Sequence, residues 1–140
     1  MRISATLERM GDLARHVAEV ARGRYPAQAV PPAARETFEK MHAAAVHVSS
    51  RVTELLATRD VDLAREVQVD DDEIDTLHQQ TFGAMLAPGW AGTPQETIDV
   101  TLLSRYYERF GDHGVSIARR ITFLVTGDFD AEHAHRRAEI

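Results

Sequence analysis

The chain has 140 residues, 44% of them apolar and 27% charged, which fits one globular domain with a continuous core. A net charge of -6 leaves no basic stripe of the kind a nucleic-acid surface needs, and the lack of cysteine removes disulfides, thiolate chemistry and Cys-based zinc sites. No apolar run approaches the roughly 18 residues of a bilayer-spanning helix, and no signal peptide is legible. A cytoplasmic protein with no nucleic-acid partner and no direct membrane insertion is expected.

Ala, Leu, Arg and Glu dominate while Gly and Pro are sparse, a composition that favours helices. The periodicity predicts the first helix over residues 2 to 22, with Ile3, Leu7, Met10, Ala14, Val17 and Ala21 on its apolar stripe. Glu8, Asp12, Arg15 and Glu19 fall on nearly the opposite side. Gly23 is a stop signal, and the prolines from Pro26 to Pro32 mark a short extended linker.

A second helix is predicted from Pro32 to Thr58, with Pro32 in its first turn and Phe38, Met41, Ala45, Val48, Val52 and Leu55 as core. Arg59-Asp60 marks a turn. The third helix follows over Val61 to Leu86, where Leu63, Val67, Ile74, Leu77 and Met85 share a face. An acidic knot, Asp70-Asp71-Asp72-Glu73-Ile74-Asp75, interrupts that face. Thr93-Pro94-Gln95-Glu96 then reads as an N-cap with Pro at the first helical position and Glu three residues on. The fourth helix runs to about Val125, with Leu103, Tyr106, Phe110, Ile117, Ile121 and Leu124 inward and Arg105, Glu108, Asp112 and Arg119 opposite. A polar tail from 128 to 140 carries no docking stripe.

One stretch recurs. Leu7-Glu8-Arg9-Met10-Gly11-Asp12 returns as Tyr107-Glu108-Arg109-Phe110-Gly111-Asp112, with Ser4 matching Ser104 and Ala18 matching Ala118. This is an internal repeat. Each copy sets two carboxylates four residues apart, about one helical turn, on one face. Asp71 and Asp75 repeat the spacing and flank the third helix's core stripe, so they can lean toward a neighbouring helix. Hard oxygen ligands of this kind suit magnesium, manganese, calcium or iron. The alternative is a solvated helix face whose carboxylates pair with Arg9, Arg15, Arg105 and Arg109. Gly11, Gly111 and Gly114 sit where Gly disfavours a helix, which points to close packing or an ion near the backbone. Glu39-x-x-His42 and Asp75-x-x-His78 only half resemble the paired motifs of a di-iron bundle.

Leu-Glu-Arg-Met-Gly-Asp-Leu-Ala at 7 to 14 and Tyr-Tyr-Glu-Arg-Phe-Gly-Asp-His at 106 to 113 resemble the signature of the PhoU family of phosphate-signalling regulators. Asp72-x-Ile74-Asp75-x-Leu77 and Asp99-Val100-Thr101-Leu102-Leu103 extend the likeness. The resemblance implies an all-α antiparallel helical bundle in which residues 1-24 are the final helix of one three-helix repeat, 25-31 a linker and 32-127 a complete second repeat. Two helices of the first repeat would be absent, exposing a face of the first helix that self-association, as a homodimer, would cover.

The resemblance also implies a non-enzymatic regulator of phosphate transport. Such a regulator damps the phosphate-starvation response by coupling the phosphate ABC transporter to a sensor histidine kinase. It further implies iron, zinc, manganese or magnesium bound by Asp71, Asp75, Glu108 and Asp112, with Glu8 and Asp12 as half of a second site. The family usually has Asn four residues after the motif Asp, where this chain has His16 and Ser116. The competing expectation is a metal-dependent helical-bundle enzyme, either a phosphohydrolase or a di-iron oxidase.

Overall fold

A computed structural model describes residues 2–127; the tail predicted over 128–140 lies outside the described residues. The described residues form four helices and no strand: α1 (Ile3–Arg24), α2 (Pro32–Thr58), α3 (Asp62–Leu86) and α4 (Pro94–Thr126). The all-α bundle expected from the sequence is the observed architecture. None of these helices is long and apolar enough to cross a membrane.

The helix ends follow local chemistry. Pro32 opens α2, where a missing N–H costs nothing, and Arg59 closes it in the left-handed region at φ 58°. At the head of α4 the Thr93 hydroxyl accepts from the Glu96 N–H while the Glu96 carboxylate accepts from the Thr93 N–H. Gly127, at φ 71°, ends α4 with its N–H donating to the Phe123 carbonyl.

Contacts between helices fix their directions. Arg24 meets Asp99 and His16 stacks on Tyr106, so α1 and α4 run antiparallel. His78 meets Ser104 and Asp71 lies against Gly111, so α3 and α4 do likewise. Because α2 and α3 are joined by a tight turn, α2 lies parallel to α4: His42 meets Tyr107, and Val48 meets Gly114 one to two turns further along both helices. Helices α2, α3 and α4 pack pairwise around one core built on Met41, Val48, Leu55, Val67, Ile74, Val100 and Ile117. Helix α1 packs on α4.

The predicted cores of α2 and α3 are observed; those of α1 and α4 need correction. In α1 the buried positions are Thr6, Met10 and Leu13, while Leu7, Ala14 and Ala21 face outward. The stripe is rotated because α1 has one neighbouring helix, not two. In α4 Leu124 is exposed, whereas Asp99, Ser104, Gly111, Gly114, Val115 and Ala118 are buried. Helix α4 is packed on three sides, so no single apolar stripe describes it. Glu108 is accordingly half-buried and not on an outer face.

Candidate functional site

Helices α3 and α4 bring Asp71, Asp75 and Asp112 together, each offering a carboxylate oxygen within 4.8 Å of the others. The four-residue spacing places Asp71 and Asp75 one turn apart on α3, and the antiparallel crossing sets Asp112 opposite them. Gly111 makes the approach possible. A β-carbon there would stand under 3.0 Å from Asp71 Oδ1, so only Gly lets the carboxylate sit against the α4 backbone. Gly114 has a different task, since its missing β-carbon leaves room for Val48 of α2.

Asp71 is buried, and its Oδ1 has no hydrogen-bond partner among the described residues. An unsatisfied buried carboxylate oxygen is costly, which is why it marks either a strained site or a place for an ion. Burial, then the carboxylates of Asp75 and Asp112, push the Asp71 carboxyl up to about 7. Burial, then the carboxylates of Asp112 and Asp72, raise Asp75. Burial first, and then the adjacent Asp112, raise Glu108 as well. The group is therefore an electronegative cage that repels its own charges.

Donor chemistry and spacing fit a hard cation. Oxygens on different sides of an ion with bonds of about 2.0–2.6 Å lie about 3–5 Å apart, and the three oxygens here fall within 4.8 Å of one another. Asp71, Asp75 and Asp112 would hold it, and Glu108 stands one turn from Asp112 on the same helix. Beside the cage, His78 Nδ1 lies 2.6 Å from the fully buried Ser104 Oγ. Burial lowers the His78 pKa.

Of the other residues singled out, Glu8 and Asp12 are exposed on α1 and remain outside the cage; Asp12 pairs with Arg15 at 3.3 Å. Glu39 is exposed, and His42 Nδ1 lies 3.0 Å from the Tyr107 hydroxyl, so the di-iron-like pair on α2 does not reach the cage either. His16 stacks on Tyr106, with ring centroids 5.4 Å apart. Sequence reasoning missed two buried acids outside the cage. Asp99 accepts from Arg24 Nε at 2.7 Å and from Gln95 at 3.1 Å, tying the end of α1 to the start of α4. Asp70 pairs with Arg51 of α2. Arginines at matching contact heights were a possible signal, visible only once helix directions are known.

Residues 38–121 match the family model of the PhoU domain. The chain is 40% identical over 125 residues to phosphate-specific transport system accessory protein PhoU homolog 2 of Mycobacterium tuberculosis, a match covering 89% of this chain and 59% of that protein. It is 38% identical over 125 residues to PhoU homolog 1 of Mycobacterium leprae, covering 89% and 56%. To PhoU homolog 1 of Methanothermobacter thermautotrophicus it is 29% identical over 128 residues, covering 90% and 58%. The chain thus spans somewhat over half the length of these relatives. No solved structure matches significantly.

Proposed function

The chain belongs to the PhoU family, and from that premise we propose that it is a cytoplasmic, non-enzymatic adaptor of phosphate-specific transport. In this reading it damps the phosphate-starvation response by coupling a phosphate ABC transporter subunit to a sensor histidine kinase. Helix α1 is the last helix of one three-helix repeat, and α2–α4 are the whole of the next. The names of the relatives as accessory proteins of phosphate-specific transport support the transport part.

The observation that carries a metal-tuned docking face is the convergence of Asp71, Asp75 and Asp112 around an orphaned buried oxygen. A bound iron, manganese, magnesium or zinc ion supplies positive charge that neutralises the cage. Asp71 anchors the cage by its burial, Gly111 admits it, and the exposed Asp112 presents the rim to a partner, with Glu108 half-buried one turn away. Helix faces of this kind contribute binding energy through surface complementarity and need no catalytic pocket.

A homodimer is part of the same reading. Leu7 is 39% exposed on α1, and Val46, 48% exposed, lines an apolar groove of about 220 Å³ between α1, α2 and α4 with Leu13, Val17 and Phe110.

The experiment is metal content by mass spectrometry, wild type against Glu108→Ala/Asp112→Ala, followed by capture of transporter and kinase subunits with and without metal. Stoichiometric metal lost in the variant, with metal-dependent capture, is the expected result. No metal in either protein after loading would remove the metal from the reading. Turnover of a phosphoester that disappears with Asp112→Ala would replace the adaptor with an enzyme.

A further inference from the structure

The protein carries a net charge of -6, yet three of its 16 Lys and Arg residues line one cleft. Between α1 and α4 a cleft of about 300 Å³ is lined by Arg9, Asp12, Leu13, His16, Arg105, Tyr106, Arg109 and His113. Arg9 and Arg109 are the same residue of the repeated motif, 100 positions apart, and the antiparallel packing of α1 on α4 turns both into one opening. His113 is half-buried between them. It lines the same cleft as both guanidiniums.

The sequence suggested that these arginines pair with the motif carboxylates, and the structure corrects this. Arg15 makes such pairs, with Asp12 and Glu19. Arg9, Arg105 and Arg109 make no ion pair or side-chain hydrogen bond among the described residues. Arg105 stands also within reach of Glu108, which places it between the cleft and the acidic cage. The one carboxylate lining the cleft, Asp12, pairs with Arg15 at 3.3 Å. Three cations within one small cleft repel each other, a cost that a multiply charged anion removes.

We infer that this cleft is a binding site for a small, multiply charged oxyanion of phosphate chemistry, held between Arg9 and Arg109 with Arg105 at its margin. The guanidinium is a planar fork that donates two parallel hydrogen bonds to such an anion. A tetrahedral anion distributes its oxygens among several forks, whereas a carboxylate satisfies one. The stacked His16 and Tyr106 rings form part of the cleft wall. The cleft adjoins the acidic cage on α4, and the inference does not rest on the adaptor reading.

The test is calorimetric and phosphorus-NMR titration of the metal-free full chain with inorganic phosphate, pyrophosphate and ATP at matched ionic strength, with acetate as the control anion. Saturable binding of at least one phosphate compound is expected, and of acetate none. Arg9→Gln/Arg109→Gln should weaken it at least about tenfold, the loss expected from removing charged hydrogen bonds. Lys40→Gln, the same charge change on α2, should leave it unchanged. Tightest binding by phosphate or pyrophosphate identifies a free oxyanion, and tightest binding by ATP identifies the phosphoryl group of a nucleotide. Melting curves verify folding, and Arg105→Gln is the second variant should the double one unfold. No saturable binding to the wild type, or binding that the arginine variants do not weaken, overturns the inference.

Discussion

Asp71 of α3 occupies, against Gly111 of α4, the space that a β-carbon would need. Gly11, the repeat partner of Gly111, has nothing within 4 Å of its own β-carbon position. One motif position is thus crowded in one copy and open in the other. Gly111→Ala must displace a buried carboxylate and should cost about 1–3 kcal/mol, with weaker metal retention. Gly11→Ala should instead stabilise by about 0.5–1 kcal/mol, because Ala is the better helix former and meets no obstacle. Denaturant melts of the two single variants check both signs.

The pH dependence of stability follows from the same carboxylate. Asp71 titrates at about 7 in the fold against 3.8 as a free side chain. Between those values the native chain holds a proton that the unfolded chain has released. Stability conferred by protonation is therefore full below about 3.8 and is lost as pH rises toward 7. His78 and His113, whose folded values lie below 6.5, act in the opposite direction below that pH. Comparing wild type with Asp71→Asn over this range isolates the acid. The metal-free variant should melt higher than wild type at pH 8, with the difference shrinking as pH falls.

Arg24 and Asp99 clamp the last turn of α1, and Asp99 is buried. Arg24→Ala leaves that carboxylate with Gln95 as its remaining side-chain donor. Hydrogen exchange should show faster exchange along α1 with α2 and α3 unaltered. Equal loss throughout the chain would mean that the clamp holds more than α1.

Self-association through α1 predicts a dimer by light scattering. Leu7→Glu places a charge on the exposed side of that helix and should give monomers of unchanged helicity. A wild-type monomer whose α1 melts together with the bundle would remove the homodimer.

Helix positions were legible from apolar periodicity, and for α2 and α4 also from start and stop signals such as Pro32, Thr93 and Gly127. The acidic cage was legible as residue types, since four-residue spacing fixes a shared face whatever the tertiary context. Orientation was less so. Leu7 and Ala14 look like core by periodicity, but which side of an amphipathic helix is buried depends on how many neighbours it has. Ser104 and Asp99 look like surface and are buried, because α4 has neighbours on three sides. The cationic cleft was invisible for a related reason. Each helix alone shows arginines among carboxylates, and only the pairing of α1 with α4 sets Arg9 beside Arg109.

The way the helices meet also sets how the molecule comes apart. Helices α2, α3 and α4 form a closed ring of contacts, so removing any one strips packing from both others. Helix α1 is a spur on that ring, joined along α4 and tethered by the residues from 25 to 31. A spur can detach without opening the ring. Release of α1 would withdraw Met10 from the core and dissolve the Arg9–Arg109 cleft, while Asp71, Asp75 and Asp112 stay in place.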